Sequence, residues 1–486
     1  MMRQTIWVND LALFRRKCEA PGHAEELISR YPPESRTKVY DHEYWWSDKW
    51  SPLDYGREYD FSKPFFGQYH ELLLAVPRPN VNLTNSVNCD YCLSATNAKN
   101  CYLVSGGYFS QDCMYSDTPA LSKDGVDVSI CIFCETLYES FSCIRSFNLF
   151  YGVHCIECID SRLMYDCRNC SKCFGCVGLR NKKYHIFNKP YSKTEYEKEM
   201  AKIDLGSHKV REEVLKKHRE LVLRFPRKYM TEKNTVNCTG DNIENAKNCQ
   251  FCFEIRGGAE NCKYVLLGGL RLKDSYDIFA GAERSELMYE SEGIGCHNVL
   301  FGGARESFNI QYSGRIFSSS NLFGCVGLRN KEYCILNKQY TKEEYEKLVP
   351  KIIEHMKAMP YVSKSGAVYR YGEFFPPEFG ANAYNDSLAH EYFPLTKEEV
   401  LAKGLRWRDI ERKEYGDALE PERLPDHIRD ARDDIVEKVI VCGHGGRCAH
   451  NCKGAFKIIQ RELDFYRKSN LPLPRLCPDC RHHERV

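Results

Sequence analysis

The chain has 486 residues with 69 Lys and Arg against 67 Asp and Glu, so a formal charge of +2 gives no global attraction to nucleic acid or membrane, and any charge effect is local. At 43% hydrophobic and 13% aromatic residues it has ample material for a core, which excludes a disordered or fibrous chain, and its length allows two to four domains at roughly 100 to 200 residues each. The outlying number is 26 cysteines. The opening MMRQTIWVNDLALFRRK lacks the basic, apolar and small-residue succession of a secretory signal, and no apolar run approaches the ~18 residues of a membrane span. These features predict a cytoplasmic protein with reduced thiols, no membrane partner, and cysteines used for metal ligation or burial rather than disulfides.

Residues 1–80 read as an aromatic-rich segment. Beyond them the chain repeats itself. Val87-Asn88-Cys89 recurs as Val236-Asn237-Cys238, Asn97-Ala98-Lys99-Asn100-Cys101 as Asn245-Ala246-Lys247-Asn248-Cys249, and FGCVGLRNKKY from Phe174 as FGCVGLRNKEY from Phe323. Three blocks in one order at an offset of 148 to 149 residues mark a duplication, with units at 81–190 and 233–339. Inside the first unit Cys89, Cys101 and Cys113 are twelve apart, as are Cys131, Cys143, Cys155 and Cys167. Short segments rich in β-branched and aromatic residues, punctuated by Gly, Asn, Asp and Ser, predict brief strands and tight turns. The expected fold is mainly β: two tandem parallel β-solenoid units with helical caps, about two 12-mers per coil, so that Cys131 lies above Cys155 and Cys143 above Cys167. Gly257-Gly258, Gly268-Gly269 and Gly302-Gly303 read as turns needing positive φ.

Ser192-Lys193-Thr194-Glu195, Thr341-Lys342-Glu343-Glu344 and Thr396-Lys397-Glu398-Glu399 are capping boxes. They predict a helical connector at 191–232 and a helical cap with a charged linker at 340–438. An amphipathic segment after Gly206 carries Val210, Val214, Leu221 and Phe225 on one face and Lys216, Lys217, Arg219, Arg224, Arg227 and Lys228 on the other.

The 439–486 segment carries the clearest chemistry. Cys448-x-x-x-Cys452 is followed by Cys477-Pro-Asp-Cys480, two paired-thiolate knuckles with the spacing of a zinc ribbon. Five cysteines serve four positions, so Cys442 is an alternate for Cys448, and His444 and His450 compete. A closed four-thiolate site leaves no position for substrate, which predicts one structural zinc. From Cys442 onward nine Lys and Arg meet four Asp and Glu, a local surplus of five. Lys457, Arg461, Arg467, Lys468, Arg475, Arg481 and Arg485, interleaved with Phe465 and Tyr466, are the predicted contacts to RNA, a ribosome or a protein partner. The bland alternative has Phe456, Ile459, Leu463, Phe465 and Tyr466 packing on the knuckle with the charges solvated.

The stretch from Phe456 through E-L-x-F-Y, L-P-L-P-R-L-C-P-D-C-R and E-R resembles a zinc-ribbon domain of treble-clef type carried by many bacterial proteins. The duplicated FGCVGLRNK-x-Y block, with YWWSDKW from Tyr44 and YFPLTKEE from Tyr392, resembles a cysteine-rich family of reduced-genome bacterial lineages that carries this ribbon. The resemblance spans nearly the whole chain and implies no activity. It implies a further cysteine knuckle before YWWSDKW, where this chain has Cys18 with Asp41 and Tyr44, so a zinc-free ribbon remnant is expected there.

Cys167-x-x-Cys170-x-x-Cys173-x-x-Cys176 and the C-x-x-C pairs at Cys89, Cys131, Cys155 and Cys249 have iron–sulfur spacing. Residues i and i+3 of an extended strand face opposite sides, however, and the pairs follow the repeat, which favours buried packing thiols. The chain contains no G-x-S-x-G, Walker, H-E-x-x-H or post-strand G-x-G-x-x-G motif, and Asp274, Asp277, Glu283 and Glu286 are its densest acid cluster within a repeat. The expected function is non-enzymatic: a zinc-containing binding scaffold for nucleic acid, a ribosome or a protein assembly. A carbohydrate-binding or carbohydrate-active solenoid is the alternative, and a metal or redox protein using the solenoid cysteines is third.

Overall fold

The computed structural model describes residues 12–411, 415–448 and 450–485. It is mainly β, with a β-solenoid arrangement, and divides into two compact units: the chain up to Asn80 with Lys228–Arg408, and Val81–Arg227 with the chain from Asp409. Each terminal segment therefore joins the solenoid stretch remote from it in sequence, a pairing that the chain-order reading did not anticipate. Among the described residues no helix is long and apolar enough to cross a membrane.

In the Val81–Arg227 unit the strands Lys123–Ser129, Glu135–Phe141, Phe147–Val153 and Ile159–Tyr165 form a parallel sheet whose partners are twelve residues apart. The same offset links isolated bridges from Val87↔Lys99 to Phe174↔Ile186. One 12-mer is therefore one whole coil. The expectation of two 12-mers per coil is corrected: Cys131 stacks on Cys143, and Cys143 on Cys155.

The reason is the backbone. Every third residue from Asn97 to Gly175 has positive φ, between 42° and 67°, so the chain turns a corner every three residues and closes a four-sided coil in twelve. Asn and Asp, which tolerate this conformation best among side-chain-bearing residues, take many corners. Asn88 donates to Asn100, Asn100 to Asp112, and Asn148 to Asp160, at 3.1, 3.0 and 2.9 Å, tying successive coils. Every third residue from Cys92 to Cys176 is buried, and this inward set is mostly Cys, Ser, Ala and Gly with a few larger aliphatics. So narrow a tube admits small side chains, and it rewards those that can donate a hydrogen bond. Cys143 Sγ lies 3.5 Å from Phe141 O and 3.3 Å from Gly152 O, while Ser140 Oγ lies 3.0 Å from Tyr138 O and 3.3 Å from Leu149 O. Thiol and hydroxyl use the same two carbonyls, two residues back and nine residues on.

Cys143→Leu is accordingly expected to overpack the tube and cost about 1–3 kcal/mol, whereas Cys143→Ser costs less than about 1 kcal/mol. Urea midpoints of the two variants check this; a Leu variant as stable as the Ser variant would contradict a tube filled at this position.

The last coil ends in an antiparallel pair, His185–Ile186 with Lys189–Pro190. Ser192 then caps the helix Lys193–Met200 with the reciprocal Glu195 bond, and Ser207 caps His208–Arg224. On that second helix Val222 is buried and Val214 and Leu215 pack on the core, while Phe225 stays 36% exposed.

In the other unit, parallel pairing runs from Glu232–Lys233 to Glu332–Ile335 at offsets of 11 to 13 residues, as in Glu232↔Ile243, Tyr276↔Tyr289 and Ser320↔Glu332. This looser spacing accounts for the weaker rhythm of its sequence. Gly257, Gly258 and Gly269 have positive φ, as expected of turns. Gly268, Gly302 and Gly303 do not; a Cβ at Gly302 would lie 2.0 Å from Ser313 O, so it is required for close backbone approach between coils. The stretch closes with the antiparallel pair at Cys334–Gln339 and the helix Lys342–Ala358, whose capping box joins Thr341 and Glu344. The third box, Thr396 with Glu399, begins Lys397–Ala402.

Candidate metal centre

The tail builds its site from one hairpin and one helix. Ile440–Val441 pairs antiparallel with Ala455–Phe456, and the connection between them carries Cys442, Cys448 and Cys452. Pro478, preset for a first helical position, starts the helix Pro478–Arg485, with Cys477 just before it and Cys480 in its first turn. The Sγ atoms of Cys442, Cys452, Cys477 and Cys480 all lie within 4.8 Å of one another and all four residues are buried. Cys442 and Cys480 are 3.8 Å apart, and Cys452 and Cys477 are 3.6 Å apart. Tetrahedral thiolates around a metal at ~2.3 Å stand ~3.8 Å from one another, which these two separations match. Backbone amides complete the knuckles: Cys477 N donates to Cys442 Sγ at 3.3 Å and Gly454 N to Cys452 Sγ at 3.4 Å.

Hydrogen bonds from Cys452, Cys477 and Cys480 hold the Cys442 thiol well below its usual range, while the same contacts push Cys477 and Cys480 up. Four thiols this close cannot all ionise by themselves, and a bound cation could take the place of their protons. Of the predicted ligands, the structure thus brings Cys452, Cys477 and Cys480 together with the alternate, Cys442. Cys448 Sγ sits 3.5 Å from Cys480 Sγ in an adjoining group with His444 and His450.

The predicted partner-contact residues are dispersed. Arg481 is buried, with Nη1 3.0 Å from Glu462 Oε1, Nε 3.3 Å from Asp127 Oδ2 and its guanidinium 4.8 Å from the Tyr115 ring centroid. Arg485 pairs with Asp127 at 3.1 Å. Arg475 donates to Leu424 O and Pro425 O, Arg467 to Asp433 and Ala431 O, and Arg461 to Asn100 O. Lys457 and Lys468 are exposed. Phe465 and Tyr466 do not await bases; they pack 5.7 and 6.0 Å from the Tyr138 ring. Three of the seven, Arg461, Arg481 and Arg485, fasten the tail to the Val81–Arg227 solenoid, and sequence composition carried no sign of this because Asp127 lies more than 300 residues from Arg481.

The amino-terminal segment has its own hairpin, helix and cysteine. The hairpin Phe14–Lys17/Glu26–Ser29 precedes the helix His42–Trp46, whose cap is Asp41, and Asp41 N donates to Cys18 Sγ at 3.3 Å, as Cys477 N does to Cys442. Donor atoms of Cys18, His23 and Glu25 form a three-membered group within 4.8 Å, in which His23 Nδ1 is 2.7 Å from Glu25 Oε1.

The inward cysteines of the solenoids are different. Corners every three residues, not extended strand, turn both members of each C-x-x-C inward, yet among the described residues none of them belongs to a metal-capable group. Burial pushes Cys134 and Cys296 up to about 11 and Cys334 up to about 12, which favours the protonated thiol at these three positions, whereas hydrogen bonds from neighbouring thiols hold Cys89, Cys170, Cys176 and Cys249 down. Nor do the acids of the Asp274–Glu286 stretch form such a group; Asp274 accepts from Asn261 in an inter-coil ladder.

Sequence reasoning missed one cavity. A space of about 330 Å³ in the unit containing the amino-terminal segment is lined by Glu34, Arg36, His70, Lys364, Glu378, Lys403 and Arg406 among others. The cations outnumber the acids, and burial together with the Arg36 charge lowers the pKa of His70, whose ring stacks on Phe379 at 4.2 Å. These residues come from five separated stretches, so no local motif marks them.

No family model and no curated protein matches the chain. Among solved structures, a crystal structure described as a "putative acetyltransferase" from Desulfovibrio desulfuricans G20 is similar at 11% identity over 50% of this chain, with a TM-score of 0.11, and the chain spans 60% of that structure's length. A likeness at that score carries no argument about function.

Proposed function

We propose that the chain is a non-enzymatic binding scaffold of the cytoplasm. It carries two tandem solenoid units, its C-terminal segment is a zinc ribbon of treble-clef type, and its partner is a large protein assembly. Four thiolates in tetrahedral reach are the donor set of structural zinc and leave no open position for a reacting group. The observation that carries the binding reading is an exposed apolar face on the first solenoid stretch. Phe109, Leu121 and Phe133 stack at the twelve-residue register and are 47, 40 and 59% exposed, and Phe147 pairs with Ile159 nearby, each 46% exposed. Contiguous exposed apolar patches on a rigid scaffold mark interaction sites, and a ladder with one rung every coil is a surface that another protein can grip at several points. Arg481 and Arg485 are spent inside the unit, which favours a protein partner over RNA.

A Phe109→Asp/Phe133→Asp variant tests this. Wild-type protein is expected to co-sediment with a large assembly in a manner insensitive to salt, and the variant to lose this at least tenfold. Salt-sensitive retention on RNA that survives in the variant would replace the protein partner with nucleic acid. A second reading, glycan binding, has one observation in its favour: Phe251 and Tyr264 are half exposed and stack 5.5 Å apart at 16° on the other solenoid, a platform suited to a sugar face. Glycan binding abolished by Phe251→Ala would support it.

A further inference from the structure

The cysteine that the four-thiolate site does not use lies beside it in a second ligand set. We propose that Cys480 bridges two metal ions: one held with Cys442, Cys452 and Cys477, the other with His444, Cys448 and His450. The inference rests on the reading of the first site as a metal centre.

Donor atoms of His444, Cys448, His450 and Cys480 all lie within 4.8 Å of one another, and Cys448 Sγ is 3.5 Å from Cys480 Sγ. Cys480 is the member common to both groups, and a thiolate sulfur has lone pairs enough for two metals. The two imidazoles come from one short connection, two residues after Cys442 and two residues after Cys448, so the loop that supplies one set supplies the other.

His444 carries the independent sign. Its Nε2 is 3.2 Å from Glu484 Oε1, while its Nδ1 is buried with no hydrogen-bond partner. A metal-bound histidine characteristically gives its second nitrogen to a carboxylate, which fixes the tautomer and leaves the first for the ion. Here the carboxylate is in place and the remaining nitrogen is left to the group containing Cys448. Burying such a nitrogen without a partner costs free energy, which a metal bond removes. Next to the set, His483 stacks on His450 with centroids 4.7 Å apart at 17°, and His444 lies 5.6 Å from His450.

Two thiolates and two imidazoles in tetrahedral reach select zinc among the available divalent ions. Charge favours the pair as well. A single zinc on four thiolates carries two net negative charges; adding Cys448 as a thiolate and a second zinc leaves one, with the Cys448 proton released to solvent. The second ion closes the connection between the hairpin strands onto the helix Pro478–Arg485 and locks both sides of the tail.

Elemental analysis of the full chain, purified without a histidine tag, tests this. Two zinc per chain are expected, falling to one in His444→Gln/His450→Gln and, independently, in Cys448→Ser. Cobalt loading supplies the second measurement: the wild type is expected to show overlapping four-sulfur and two-sulfur, two-nitrogen visible bands, and the double histidine variant the four-sulfur bands alone. One zinc per chain in wild-type protein, or two that persist in both variants, would overturn the bridged pair while leaving the first centre standing. No zinc in wild-type protein would instead overturn the metal reading of the first centre, and the bridged pair with it.

Discussion

A Cys477→Ser/Cys480→Ser chain is expected to lose its tail metal and the folded structure of residues 440–485 together. The segment has two strands of two residues each and two helices of ten and eight residues, too little to hold a hairpin and helix in register alone. Structural zinc contributes an apparent ~10–16 kcal/mol to such small sites at neutral pH, more than the whole net stability of many domains. Its loss uncovers what the tail buries: Leu463, Tyr466, Leu471 and Leu473, all at most 1% exposed, and the Tyr138 side of the solenoid against which Phe465 and Tyr466 pack. Hydrogen exchange checks this. Amides of 440–485 should exchange at the rate of an unfolded chain in the variant or after chelation, while coils between 123 and 165 keep their protection. Unchanged protection in 440–485 would mean that the thiols merely pack.

The second large effect is expected at Arg481. It sits with Asp127, Glu462 and Arg485 in a buried network of two acids and two bases, with the side chains of Asp127 and Glu462 at 0 and 1% exposure. Tyr115 Oη donates to Glu462 Oε2, and Tyr466 Oη to its Oε1, each at 2.8 Å. Burial pushes the Asp127 carboxyl up against the opposing pull of Arg481 and Arg485, so removing a base leaves a costly charge. Arg481→Met should therefore cost about 3–5 kcal/mol, whereas adding Glu462→Gln to it should return part of that, since the network is then neutral again. Urea unfolding of the metal-loaded single and double variants reads both numbers. If Arg481→Met costs less than about 1 kcal/mol, as an exposed arginine would, the tail does not dock through this network.

The period of twelve was plain because each coil is one period, and the three capping boxes were plain because their bonds span three residues. The number of repeats per coil was misjudged because extended strand was assumed where a left-handed corner falls at every third residue, a conformation that residues such as Ile130 and Phe133 give no local reason to expect. The same corners explain the cysteines: a C-x-x-C with a bend inside it points both thiols into a tube too narrow for leucine at every rung. At the tail, C-x-x-C at Cys477 was decisive, but the partner pair was sought at close spacing, and the structure instead joins Cys442 and Cys452 across nine residues. The role of Arg481 and Arg485 was hidden because charge surplus reads alike whether it meets a phosphate or a buried Asp127.

The cysteines divide into two kinds, tail thiols placed to hold a metal and solenoid thiols that fill a tube, and site-resolved alkylation with and without a strong chelator tests that division directly. Native protein is predicted to leave Cys101 to Cys176 and Cys249 to Cys334 unlabelled under both conditions, with Cys442, Cys452, Cys477 and Cys480 becoming reactive when the chelator is added. Labelling of solenoid cysteines on chelation, accompanied by release of iron and sulfide, would contradict it and make the solenoid interior the metal site.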